Sequence, residues 1–194
     1  MIVDSLQRFS EEAVDPAVLG RIAKASHQVP ADATGLEIAV VTDPEARRSL
    51  EVLCLDRLEK IYLRRYARLW VFSFMKKLRP SVNELSRIRT RQMLKKGSVF
   101  NGAPALILIL GDSRRPQEAA NAPCALADMM LLAETLGLGT CLSETARSIL
   151  NGSRRARRIL SLSRGKSLLG ILLIGRPEAG FLRAAGSPFP VRWI

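Results

Sequence analysis

The chain has 194 residues, of which 47% are hydrophobic and 25% are charged, and its formal net charge is +12. This length and hydrophobic content suit one globular domain with a sizeable core, and they exclude an intrinsically disordered chain. The positive charge favours anionic partners: nucleic acid, acidic lipid, an acidic protein or a phosphate-bearing ligand. It does not choose among them.

The cysteines and the N-terminal segment indicate where the protein works. Cys54, Cys124 and Cys141 lack the spacing of a metal site or of a redox pair. The N-terminal segment carries acidic residues early and has no apolar stretch of signal-peptide length. Outside the central strands, the longest apolar run is residues 69–75, far short of the roughly 20 residues that a spanning helix needs. We therefore expect a cytoplasmic protein.

The first half of the chain alternates between predicted helices and strands. A helix is expected from Pro16 to about Gln28, because Asp15 is a capping residue and proline suits the first helical turn. A strand follows over Leu36–Thr42. The pair Asp43-Pro44 repeats the same device and opens a second helix. We expect this helix to carry four apolar side chains to the core: Leu50, Val52, Leu53 and Leu58.

The segment 57–96 has a different character. It holds 13 lysines and arginines against two glutamates, with aromatic residues among the arginines. This pattern is typical of a basic amphipathic helix, which Pro80 would end. Such helices bind nucleic acid or anionic membrane surfaces in some proteins and pack against their own protein in others. We favour packing, since no nucleic-acid motif accompanies the segment.

The most informative stretch runs from Gly102 to Cys141. Residues 103–110 form a continuous apolar run with the length of a buried strand. Residues 126–136 are apolar nearly all round, which indicates a helix buried on more than one side. Gly137 and Gly139 follow at once. At such glycines a left-handed cap ends a helix, and the backbone allows a flat ligand to come close.

The remaining elements complete a layered fold. A short helix is expected to begin at Ser143 or Glu144, and a second basic cluster follows at positions 154, 155, 157 and 158. Residues 167–174 form the last core strand, and residues 175–194 an extended tail. Three or four apolar strands interleaved with longer helices predict the α+β or α/β class.

Three groups of motifs resemble the nitroreductase family of flavoproteins, in the branch often linked to ferredoxin domains. GAPALILIL with MMLLAETLGLGTC is similar to the family's strand, central dimer helix and flavin-facing turn. LLGILLIGRPEAGFLR with PFPVRWI is similar to its last strand and C-terminal arm. SLQRF, DPAVLGRIAKASHQVP and LEIAVVTDPEARRSL resemble its N-terminal flavin motif, first helix and first strand.

This resemblance implies an α+β, three-layer fold with a mixed, mostly antiparallel sheet and a long buried helix at the interface of a homodimer. One domain would span residues 1–194, with a variable basic helical insertion at 57–96. The implied cofactor is FMN, with NAD(P)H or ferredoxin as electron donor. The implied reaction is two-electron reduction of a nitroaromatic, quinone, enone or similar small-molecule acceptor, with the flavin carrying the chemistry. An acidic electron-transfer protein would also suit the charge of +12.

The resemblance also implies which residues contact the cofactor. The flavin ring would face Leu138, Gly139 and Thr140. Three further residues are candidates for binding the phosphate: Ser5 at a motif position, Arg8 one place beyond the second arginine position, and Arg183 at the first arginine of the C-terminal arm. The remaining two, Pro30 and Thr34, belong to the turn before the first strand.

Other candidate residues have plainer interpretations. His27 is interpreted as a surface or capping residue, and Cys141 as a small buried residue beside the turn. Trp70 and Phe74 are interpreted as packing residues. No catalytic side chain is assigned.

The phosphate-binding motifs depart from the family pattern. The family has R-S-x-R-x-F where this chain has DSLQRF at residues 4–9, so both arginine positions are changed. Asp4 now stands at the first of them, and a carboxylate repels a phosphate. The motif S-x-x-N-x-Q-P-W is shortened and lacks its Asn, Gln and Trp. Two alternatives therefore stay open: a ligand-binding protein with lost or weakened FMN binding, and a nucleic-acid or membrane-surface binder acting through 57–96.

Overall fold

The structure is a computed structural model that describes residues 8–25, 35–73 and 98–178, with side chains described only to Ile61 in the second range. The helices are α1 (Pro16–Ala23), α2 (Pro44–Ser73), α3 (Pro116–Thr135), α4 (Glu144–Asn151) and α5 (Arg154–Ile159). The strands are β1 (Glu37–Val41), β2 (Ala105–Gly111), β3 (Gly139–Leu142) and β4 (Ser167–Gly175). The predicted C-terminal arm beyond residue 178 and the part of the basic segment after Ser73 lie outside the described residues.

The four strands form one sheet in the order β1-β2-β4-β3, and all three neighbouring pairs are antiparallel. The central strands β2 and β4 consist almost entirely of Leu, Ile, Ala and Gly. A strand with this composition needs cover on both faces, because it has no polar side to present to water.

Alternation along β2 divides the core into two. Leu106 and Leu108 face a cluster that includes side chains of α2, α4 and α5. Ile107 and Ile109 face the opposite cluster, which α1 and α3 help to build. Helices therefore cover both faces of the sheet, and the predicted three-layer α+β fold is confirmed.

Helix α1 is shorter than predicted and ends at Ala23 rather than near Gln28. The N–H of Ala25 donates to the carbonyl of Ile22 at 3.0 Å, a three-residue bond that tightens the last turn and closes the helix. The predicted start is confirmed, because Asp15 Oδ1 accepts a hydrogen bond from the N–H of Ala17 at 2.8 Å.

In α2 the expected core positions are partly wrong. Leu50 and Leu58 are buried as predicted, but Val52 is 49% exposed and Cys54 is fully buried in its place. Residues four apart share one face of a helix, whereas a residue two positions away points to the other side. The spacing of residues 50, 54 and 58 therefore defines the core face.

The C-terminal half of α3 is apolar nearly all round, yet within one chain only one side of the helix is buried. Ala122, Ala125, Met129 and Ala133 are buried against the sheet and α1. The opposite side exposes four residues with helical spacing: Ala120, Cys124, Ala127 and Leu131. Burial of α3 on more than one side therefore needs a surface from outside the described chain.

The glycine turn after α3 forms as the sequence predicts. Gly137 has a φ of 72°, in the left-handed region that favours glycine. The N–H of Leu138 donates to the carbonyl of Ala133 at 2.9 Å, and that of Gly137 donates to Glu134 at 3.0 Å. These bonds satisfy carbonyls at the end of α3. Strand β3 then begins immediately at Gly139.

Candidate functional site

A cavity of about 250 Å³ opens between α3, β4 and the junction of β3 with α4. Leu126, Ala127 and Met130 of α3 form an apolar wall. Leu142, Ser143 and Glu144 line the opposite side, where β3 ends and α4 begins. Such an arrangement suits a flat, largely apolar ligand that carries a few polar atoms at its edge.

A bulge in β4 shapes the floor of this cavity. The register between β2 and β4 shifts after Ile109, so that Leu169 is an extra residue between Leu168 and Gly170. Gly170 lies against Leu126, and a Cβ atom added there would stand 2.5 Å from Leu126 Cδ1. A side chain at this position would force Leu126 to move, so the glycine favours the close packing of α3 over the bulge.

The first turn of α4 supplies polar atoms at the cavity rim. Ser143 is the capping residue and is buried, but its side chain makes no capping hydrogen bond. The first intrahelical bond runs from the N–H of Arg147 to the carbonyl of Ser143. The N–H groups of residues 144–146 therefore have no acceptor within the helix, and among these residues Glu144 lines the cavity.

Glu144 is held in an ion pair at the same rim. Arg147 Nε donates to Glu144 Oε2 at 2.7 Å, and a second bond joins Arg147 Nη2 to Glu144 Oε1. These hydrogen bonds lower the pKa of the Glu144 carboxyl. Glu144 is thus ionised at neutral pH, and the guanidinium group offsets its charge.

The predicted ring-contacting residues lie at the beginning of β3, while the cavity opens at its end. Gly139 is buried and pairs with Gly175, and Thr140 pairs with Ile174. Leu138 is partly buried against the core cluster that α1 and α3 build. Contact of these three residues with a cofactor stays a prediction.

Of the predicted phosphate-binding residues, only Arg8 is described. Its side chain is exposed, and its carbonyl accepts a hydrogen bond from the N–H of Glu178 at 2.9 Å. The next residue, Phe9, bridges to Pro177. The chain around Arg8 therefore lies beyond the carboxyl end of β4, the same end at which Gly139 pairs with Gly175. The remaining predicted contacts lie outside the described residues: Ser5, Pro30, Thr34 and Arg183.

Leu142, Ser143 and Glu144 were not identified as site residues from the sequence. Ser143 was visible only as a possible helix start. Leu142 is 47% exposed although it ends an apolar strand, and this exposure appears only in the folded chain. No sequence signal connects these residues with Met130 or Gly170, because the cavity combines three separate elements.

A second, larger cavity of about 430 Å³ lies beside the start of α2. Arg47 Nη1 donates to the carbonyl of Ala103 at 2.6 Å. Arg48, Glu11 and Glu45 also line this cavity, so its charges are mixed. Its composition indicates no single ligand class.

Residues 8–25, 35–73 and 98–178 contain no group of three or more His, Cys, Asp or Glu side chains able to hold a metal ion. None of the helices described there has the length and apolar character needed to cross a membrane.

Comparison with known protein structures found the same fold in several flavoproteins. A nitroreductase with bound FMN from Desulfitobacterium hafniense is 17% identical, with a TM-score of 0.70 over 97% of this chain and 92% of that chain. Oxidized iodotyrosine deiodinase bound to FMN and 3-iodo-L-tyrosine is 17% identical, with a TM-score of 0.66 over 97% and 92% of the two chains.

A third similar structure is that of a nitroreductase described as NADPH-dependent. The FMN- and NADPH-dependent nitroreductase NfnB from Sphigopyxis sp. strain HMH is 18% identical, with a TM-score of 0.57 over 89% of this chain and 83% of that chain. These identities establish the shared fold alone. A comparison with curated protein sequences found no significant match.

The family assignment rests on the sequence itself. The model of the nitroreductase family matches residues 4–176, which cover most of the chain and include every described strand and helix. The match agrees with the three-layer fold and with the strand, apolar helix and glycine turn between Gly102 and Cys141. The chain therefore belongs to the nitroreductase family.

Proposed function

We propose that this protein is an FMN-dependent oxidoreductase of the nitroreductase type, acting as a homodimer in the cytoplasm. It reduces a nitroaromatic, quinone, enone or similar small molecule by two electrons. The observation that carries the proposal is the cavity between α3 and the β3–α4 junction, which joins an apolar wall to the first turn of α4. Family membership supports the same conclusion.

The residues around the cavity fit the ring of FMN. An isoalloxazine ring is flat and largely apolar, and it carries hydrogen-bond acceptors along one edge. Leu126 and Met130 offer the apolar surface, and the first turn of α4 offers N–H donors for the acceptor edge. When bound, FMN supplies hydride transfer. The protein binds and orients the ring and excludes water from one side of it.

Phosphate binding depends on a different part of the chain. Arg8 is the described cation proposed for it, together with Ser5 and Arg183 from the N- and C-terminal segments. Asp4 stands where the family motif has its first arginine, and a carboxylate repels a phosphate. We therefore expect FMN to bind through its ring contacts at least as much as through its phosphate.

The exposed side of α3 supports the proposed homodimer. Ala120, Cys124 and Ala127 are small, and Leu131 is 64% exposed, so two copies of α3 could pack closely along this face. Ala127 belongs to both this face and the wall of the cavity. Dimerisation through α3 would thus place the partner subunit beside the ring and complete the site.

The proposed electron donor is NAD(P)H or ferredoxin. The structural relatives include an NADPH-dependent nitroreductase and a deiodinase bound to an iodinated tyrosine. Their shared fold therefore accommodates different small molecules.

FMN binding provides the decisive test. The purified protein should show flavin absorbance, or should quench FMN fluorescence when titrated, and should then oxidise NADH or NADPH with a quinone as acceptor. Leu142→Glu should weaken FMN binding at least tenfold, since it places a charge at the cavity wall. Val52→Glu is the matched control, because Val52 is 49% and Leu142 47% exposed, and Val52 lies on α2.

Two outcomes would contradict the proposal. A colourless protein that ignores added FMN would favour the alternative of a family member without flavin, acting as a ligand-binding protein. Equal FMN affinity in both glutamate variants would show that the ring binds elsewhere.

A further inference from the structure

An exposed cationic surface lies on the helical layer that contains α2, α4 and α5. Three arginines of α5 are exposed and enter none of the ion pairs among the described residues: Arg154, Arg155 and Arg158. Residues 145–177 contain eight lysines and arginines and no Asp or Glu. The charge of α5 therefore has no compensating carboxylate in its own stretch of chain.

The fold brings basic residues of α2 to the same place. Arg57 Nη2 of α2 donates to the carbonyl of Gly152 at 3.1 Å, and Gly152 immediately precedes the capping residue of α5. Lys60 is exposed on the following turn of α2. Two clusters that are 95 positions apart in the sequence thus form one continuous surface, named here the α2–α5 surface.

The basic row continues along α2. Helical spacing places the Cα atoms of Arg64 and Arg68 in line with that of Arg57, since they follow it by seven and eleven residues. From Arg57 to Arg68 the row spans about 16 Å at 1.5 Å per residue. Such a row is long enough to follow several consecutive phosphates of a polymer.

The apolar residues of α5 are turned inward. Ala156 is 1% exposed, and Ile159 and Leu160 pack against the core cluster. Arg157 is held by the carbonyls of Lys166 and Ser163, at 2.7 and 2.9 Å. The outer side of α5 is therefore rigid and cationic, without the exposed apolar side chains that an interfacial membrane helix inserts into lipid.

The chemistry of the cations favours phosphate over carboxylate partners. All the basic residues of α5 are arginines, and the row on α2 contains a single lysine. The planar guanidinium group binds phosphate oxygens in pairs, which makes arginine the preferred residue for nucleic-acid backbones.

We infer that the α2–α5 surface binds the phosphate backbone of nucleic acid, independently of the flavin site. The full-length protein should bind a labelled oligothymidylate of about 20 nucleotides, measured by fluorescence anisotropy. With about four phosphate contacts, the affinity should fall roughly 50-fold between 50 and 200 mM salt, following a logarithmic slope near −0.7 per contact.

A pair of charge-matched variants locates the surface. Arg155→Gln/Arg158→Gln should weaken binding about tenfold at low salt and make the salt slope shallower by about 1.4. Arg21→Gln/Lys24→Gln removes the same charge from α1, on the opposite face of the sheet, and should leave binding nearly unchanged. Thermal unfolding of both variants checks that each keeps its fold.

Four outcomes would overturn the inference. The first is absence of binding at 50 mM salt. The second is an equal loss of oligonucleotide affinity in the two double variants, which would indicate that binding responds to net charge alone. The third is competition by poly-L-glutamate as effective as that by unlabelled oligonucleotide, which would indicate an acidic protein partner. The fourth is tighter binding to vesicles of phosphatidylserine than to the oligonucleotide, with the same dependence on Arg155 and Arg158.

Discussion

Glu51 connects α2 to the segment that leads into β2. Its Oε1 atom accepts three hydrogen bonds: from Ser98 Oγ at 2.7 Å, from the N–H of Val99 at 2.8 Å and from the N–H of Phe100 at 3.0 Å. Val99 and Phe100 are 2% and 3% exposed, so water has little access to these donors. One carboxylate thus satisfies two buried backbone groups at the entrance to the central strand.

The change Glu51→Ala should destabilise the protein substantially. It leaves two buried N–H groups without an acceptor, and each such group costs about 1–3 kcal/mol. We expect the free energy of unfolding to fall by about 3 kcal/mol, which corresponds to a decrease in Tm of about 6–12 °C for a chain of this size. Glu51→Gln keeps an acceptor oxygen and should lose less than half as much.

Thermal unfolding followed by circular dichroism, at one fixed protein concentration, measures these differences. Glu59→Ala is the matched control, because Glu59 is an exposed residue of the same helix and should change the stability by no more than about 0.5 kcal/mol. A Tm for Glu51→Ala within 1–2 °C of that of the control (about 0.5 kcal/mol) would refute the role assigned to Glu51.

Two further substitutions and one titration test other parts of the structure. Leu131→Glu places a charge on the exposed side of α3 and should convert the proposed dimer to a monomer; a mass in solution equal to that of the wild type would contradict the interface. Burial, and secondarily Glu51, raises the pKa of Cys54 from 9.0 to about 12. The folded state therefore keeps a proton that the unfolded state loses above pH 9. Above pH 9 the free energy of unfolding should therefore fall by up to about 1.4 kcal/mol per pH unit. Denaturant unfolding at several pH values should show a smaller fall for Cys54→Val. An equal fall in the variant would be evidence against Cys54 as the cause. Hydrogen bonds from Arg114 lower the pKa of Asp112 from 3.8 to about 2. The stabilisation is thus present above pH 4 and is lost as the pH falls through 2, and an NMR titration midpoint near 3.8 would disprove the pairing.

Local features of the fold could be predicted because their causes lie within a few residues. Asp15 caps α1 and Asp43 caps α2, the latter through a 2.7 Å bond from the N–H of Ala46 to Asp43 Oδ2. The apolar runs became β2 and β4, since a fully apolar strand is stable only between two covered faces. The glycine cap at Gly137 likewise follows from the freedom of one residue.

The site was less accessible to such reasoning. The resemblance placed the predicted contacts on Leu138–Thr140, at the beginning of β3, where their role stays a prediction. The cavity lies at the other end of this strand. It depends on the bulge at Leu169 and on the close packing of Leu126 over Gly170, which no local pattern reveals.

The sequence by itself determined the strands β1, β2 and β4, the starts of α1 and α2, the excess of positive charge, and the nitroreductase resemblance with the α+β class that it implies. Only the tertiary structure decided that Cys54 rather than Val52 enters the core, because a short helix pattern fits more than one rotational phase. It also decided that Arg57 meets the start of α5, and that Met130 faces Ser143 across a cavity. These contacts join residues far apart in the chain, and long-range packing of complete helices and strands brings such residues together, whereas the propensities of single segments do not.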